Sequence, residues 1–113
     1  MAKAARISAW LLIVAIVILS LVPPGLRPTF GGLHTLEHFA IFAAAGLAFG
    51  LGYRPRYSTA IGLVIFAGVI EIAQLLVPGR HARLSDFIVD AAAACIGLAA
   101  AALWRRNQWR AAD

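Results

Sequence analysis

The chain has 113 residues, of which 62% are apolar even before its ten glycines are counted, and only 13% are charged. A soluble domain carries roughly 45–50% apolar residues with glycine included, so a water-soluble globule is excluded and a single helical membrane domain over residues 1–113 is expected. The net charge of +5 does not indicate nucleic acid, because the arginines stand in short clusters between apolar runs, not in a basic stripe interleaved with aromatics.

Lys3 and Arg6 precede "ISAWLLIVAIVILSLV", a charge-then-apolar order that a signal peptide shares. No A-x-A-like cleavage site follows, so a retained first helix over about 7–26 is expected, long enough for the ~30 Å hydrocarbon core. Beyond "PPGLRP" come three further apolar segments, about 35–53, 57–77 and 86–104, separated by "YRPRYS" and "PGRHARLS". The expected fold class is therefore all-α: a polytopic, compact bundle of four transmembrane helices with short connections. The second span is the least apolar, because only 39–53 lacks polar residues and its first turn is "HTLEH".

Lys and Arg are in excess in cytoplasmic loops. With both termini cytoplasmic, Lys3, Arg6, Arg54, Arg56, Arg105, Arg106 and Arg110 lie inside and, less Asp113, give +6. Arg27, Arg80 and Arg83 lie outside with Glu37, Glu71, Asp86 and Asp90, giving −1. Trp10, Tyr53, Tyr57, Trp104 and Trp109 gather near the inner boundary, as amphipathic rings do at a membrane interface. Small residues at close-packing intervals, Gly46 with Gly50, Gly62 with Gly68, and Ala93 with Gly97, suggest that helices approach closely. The single cysteine, Cys95, sits in an alanine-rich run and has no second cysteine to pair with.

Under this topology all three histidines, His34, His38 and His81, fall on the outer side with the acids. Glu71 lies about 21 Å along the third span, about 9 Å from its outer end. An acid at that depth costs a few kcal/mol unless it finds a partner or water, which makes it a site candidate by default. Gln74 shares its helix face. Asp86 belongs to the first turn of the fourth span, with Ser85 as N-cap, where the helix dipole favours negative charge. Asp90 is one turn deeper on the same side, and the two carboxylates repel each other unless a cation intervenes. Arg80 and Arg83 in the preceding loop are the candidates for that role, or for holding a lipid phosphate.

The order His38-x-x-x-Phe42-x-x-x-Gly46, Glu71-x-x-Gln74, Arg80 in "PGR", then Asp86-x-x-x-Asp90 leading to Gly97 resembles the VanZ-like family of small bacterial integral membrane proteins, named for a teicoplanin-resistance protein. The likeness spans roughly residues 34–100. It implies that the family's motif histidine corresponds to His38, its E-x-x-Q pair to Glu71 and Gln74, its loop arginine to Arg80 and its aspartate to Asp86. The family usually carries asparagine where this chain has Asp90. The likeness further implies a multi-pass protein of the bacterial inner membrane acting at the cell envelope.

The leading expectation is a non-enzymatic or weakly catalytic protein. In it His38, Glu71, Gln74, Arg80, Asp86 and Asp90 form an outer-leaflet site for a polar lipid headgroup, a lipid-linked envelope precursor or a lipophilic glycopeptide of the teicoplanin type. The enzymatic alternative makes Glu71 or Asp90 a general acid or base with His38 as its partner. No cofactor is expected, and no metal is assigned. A minority reading takes the H-x-x-E-H order of "HTLEH" as a zinc box, with His34 and His38 plus Glu71 or Asp86 as ligands. A small transporter or assembly subunit is the third class. The oligomeric state stays open.

Overall fold

In a computed structural model the chain forms four helices: α1 (Ala2–Leu21), α2 (His34–Gly52), α3 (Tyr57–Gln74) and α4 (Leu84–Ala112), with no strand among the described residues. Residues 2–21, 34–54, 57–76 and 84–112 are described, without the side chains of 34, 35, 84, 85 and 108–112. The bundle is elongated, 54 × 23 × 22 Å.

The helix ends differ from the expected spans where local chemistry sets them. The first helix starts at Ala2, five residues early, because nothing in "AKAAR" breaks a helix and Arg6 is anchored from within it. α4 runs on to Ala112, 29 residues or about 43 Å, since "WRRNQWRAA" contains neither glycine nor proline to stop it. α3 stops at Gln74 and tightens into a last turn, with the amides of Leu75 and Leu76 bonded to the carbonyls of Ile72 and Ala73 at 3.1 and 3.0 Å. Ser85 lies inside the first turn of α4, not at its N-cap, a place where serine is harmless because the first amides have no helical acceptor anyway.

Three stretches, Ala2–Leu21, Tyr57–Gln74 and Asp86–Asn107, are long and apolar enough to cross a membrane. The apolar part of α2, Leu36–Gly52, is shorter. α2 is the central helix of the bundle, packed most extensively on α4 and next on α1. α3 leans on α4 and touches α1 little. The outward faces carry large apolar side chains, such as Leu11, Ile65, Ile72 and Ile88. That is stable only with lipid as the solvent.

Glycine lets α2 and α4 approach closely. A Cβ on Gly46 would collide with the Ala94 carbonyl, and one on Gly97 would collide with the Ala43 carbonyl and stand 2.6 Å from the Leu47 amide nitrogen. Gly62 differs, with nothing within 4 Å of its Cβ position, so it is no helix-packing glycine. Around this seam Phe42, Ala45, Phe49, Ala93 and Ala94 form the buried core.

The last carbonyls of any helix lack an intrahelical donor, and in lipid an unmet carbonyl costs several kcal/mol. Two arginines from neighbouring helices meet this need at the end of α2. Arg6 donates from Nε to the Gly52 carbonyl at 2.6 Å, and Arg105 from Nη2 to the Leu51 carbonyl at 2.7 Å. The Arg6 guanidinium also lies 4.9 Å over the Tyr53 ring, whose hydroxyl accepts from the Trp10 indole nitrogen at 2.9 Å.

Candidate functional site

The ends of α1 and α3 and the beginnings of α2 and α4 share one end of the bundle, opposite the Arg6–Tyr53 end. Five polar residues there are buried although each could have faced outward: Ser20, His38, Glu71, Gln74 and Asp90. Their burial follows from helical spacing. His38 and Phe42 are one turn apart on the inner face of α2, and Glu71 and Gln74 share the inner face of α3 with Ala67 and Ile70. Asp90 precedes Ala93, Ala94 and Gly97 on the face of α4 that meets α2.

Asp90 is completely buried, and its carboxylate faces His38, with Nδ1 at 3.3 Å from Oδ1 and 3.5 Å from Oδ2. Either the neutral Nδ1–H tautomer or the imidazolium can donate across this pair. The His38 ring stacks on Phe42, centroids 6.5 Å apart, and Phe42 in turn meets Phe66 of α3 at 6.2 Å. Phe42 itself is buried, so the surroundings of the pair on that side are apolar. Low polarity there strengthens the His38–Asp90 interaction and raises the cost of breaking it.

Gln74 acts differently from His38. Its amide nitrogen donates to the Ser20 carbonyl at 3.3 Å, near the end of α1, where helical carbonyls lack donors. Gln74 therefore joins α3 to α1, and no feature of the sequence marks Ser20 as its partner. Glu71 is buried one turn below Gln74, three residues from the end of α3.

Asp86, one turn above Asp90, is half-buried in the first turn of α4. Asp90 takes His38 as its partner, the pairing that the enzymatic alternative expects. Arg80, Arg83 and His81 lie outside the described residues, as does the side chain of His34, so the zinc reading of "HTLEH" falls there too. Among the described residues no three His, Cys, Asp or Glu side chains are grouped to hold a metal ion.

Apolar helices wrapped around a polar cluster at one end define a small α-helical membrane protein with ionisable groups inside its bundle. A family model described as VanZ/LLP1 matches residues 4–105, and the chain belongs to this family. No curated protein and no solved structure matches it.

Proposed function

We propose that the chain is a multi-pass protein of the bacterial inner membrane, with both termini cytoplasmic. In this reading the outer end of its bundle holds the polar headgroup of a membrane lipid, a lipid-linked envelope precursor or a lipophilic glycopeptide. The observation that carries it is the burial of Asp90, His38 and Glu71, from three helices, at one end of an otherwise apolar bundle. Ionisable side chains within membrane spans are costly and by default mark a functional site. Arg80 would add a donor fork for phosphate, and Asp86 would stand at the rim.

Native mass spectrometry of the detergent-solubilised protein tests this with phosphatidylethanolamine, phosphatidylglycerol and a polyprenyl phosphate as probes. One of these is expected to bind with an affinity that falls about tenfold in Asp90→Ala and in Glu71→Ala, the worth of one charged hydrogen bond. Ile88→Ala, on the exposed face of α4, should leave it unchanged. Equal binding by all variants contradicts the proposal.

A second reading is favoured by the His38–Asp90 geometry alone. A carboxylate on Nδ1 orients an imidazole for proton transfer through Nε2, as acid–base catalysis requires. Turnover of envelope lipids by purified protein, lost in His38→Ala and Glu71→Gln, would replace the binding role by an enzymatic one.

A further inference from the structure

At the end of the bundle remote from His38 and Asp90, a cavity of about 380 Å³ opens between α1 and α3, two helices that touch little. Its volume falls within the roughly 300–1,000 Å³ typical of small-molecule sites. Trp10 and Ile13 of α1 form one wall, Gly62 and Phe66 of α3 the other, and Phe49 of α2 with Tyr53 just beyond its end the floor. The lining is almost wholly apolar, and the missing side chain of Gly62 creates part of the space: a Cβ there would meet nothing within 4 Å.

The mouth is strongly cationic. Lys3, Arg6, Trp10 and Ile13 follow one another at intervals of three and four on a single stripe of α1, so the charged residues continue the groove wall outward. Arg6 stands over Tyr53, whose ring lines the groove, and Arg54 is the next residue. Lys3, Arg6 and Arg54 are all exposed. Arg6 spends its Nε on the Gly52 carbonyl, and its terminal nitrogens have no partner among the described residues. The described acids, Glu37, Glu71, Asp86 and Asp90, all belong to the opposite end.

We infer that this groove binds an anionic glycerophospholipid, one acyl chain lying between α1 and α3 and the phosphate at Lys3, Arg6 and Arg54. Charge complementarity selects the occupant. A zwitterionic lipid could fill the apolar part equally well, but only a net negative headgroup gains from three cations with no acid near them among the described residues, about fivefold in affinity for the one net charge it brings to a basic surface. The groove runs from Thr59 to Phe66, seven residues or about 10 Å, the depth of roughly half an acyl chain. In the orientation proposed above, the lipid comes from the cytoplasmic leaflet. The site is thus separate from the outer headgroup site.

Trp10 supplies the readout. With Trp104→Phe and Trp109→Phe it is the only tryptophan of the chain's three. The full-length protein is reconstituted in phosphatidylcholine vesicles containing increasing fractions of phosphatidylglycerol or phosphatidylcholine brominated on the acyl chain. Bromine quenches Trp10 when the chain is beside it. Quenching is expected at about fivefold lower mole fraction for phosphatidylglycerol, and the preference should shrink in Lys3→Gln/Arg54→Gln. In Gly62→Leu, whose side chain enters open space and leaves the helix contacts intact, the preference should vanish. Ile61→Ala, on the exposed face of α3, should keep it. Equal quenching by the two lipids in the parent overturns the inference. So does a preference that persists in Gly62→Leu, which would reveal only a diffuse attraction of anionic lipid to the basic surface.

Discussion

Replacing Asp90 and His38 singly and together measures what the buried pair contributes. Asp90→Ala removes an acceptor from a completely buried position, and His38→Ala removes a ring stacked on Phe42. Leaving a buried polar partner unmet costs about 1–3 kcal/mol. Two features keep the coupling modest. The separations of 3.3 and 3.5 Å exceed the roughly 2.7–2.9 Å of strong charge-assisted bonds. In a membrane, moreover, the unfolded reference state finds other partners, and measured couplings average about 0.6 kcal/mol with a maximum near 1.7. Each single variant is therefore expected to lose about 2 kcal/mol and the double variant about 1 kcal/mol less than their sum. Asp90→Asn, which keeps an acceptor, should stay within about 0.5 kcal/mol of wild type. Titration of mixed micelles with sodium dodecyl sulfate, followed by circular dichroism, gives these free energies. Additivity within about 0.3 kcal/mol would refute the claim that His38 and Asp90 act on each other.

Other variants separate packing from function. Gly97→Leu and Gly46→Leu force α2 from α4 against backbone carbonyls and should lower stability by about 3 kcal/mol or abolish folding, while Gly62→Leu should leave the thermal midpoint in detergent nearly unchanged. Arg105→Leu exposes the Leu51 carbonyl and should cost about 1.5–3 kcal/mol, with hydrogen exchange quickening first at the Leu51–Tyr53 end of α2. Phe42→Ala opens a cavity beneath His38 and should lower stability by about 3–5 kcal/mol.

Four helices were legible in the sequence because apolar runs of span length are local signals, and Glu71 and Asp90 were conspicuous because charge inside such a run is costly. Their partners were not legible. Which acid meets His38 depends on how α2 and α4 are rotated about their axes, and that rotation is set by Gly46 and Gly97 closing on opposing backbone. Gly62 shows the same limit from the other side: its residue type equals theirs, yet it faces a groove. Arg6 and Arg105 read as topology charges, and they also cap α2 across 46 and 54 residues of chain, a side-chain-to-backbone pairing without any motif. Gln74 meets a bare carbonyl of α1 in the same way.

The central claim is that the polar end of the bundle holds a headgroup, and the lipids that remain with the protein on mild detergent purification test it most directly. Lipid extracts of wild type and of an Arg80→Ala, Glu71→Ala double variant, both checked for a monodisperse elution profile, are compared by mass spectrometry. The account predicts that one headgroup class present with wild type is depleted from the variant. Identical lipid profiles would contradict it.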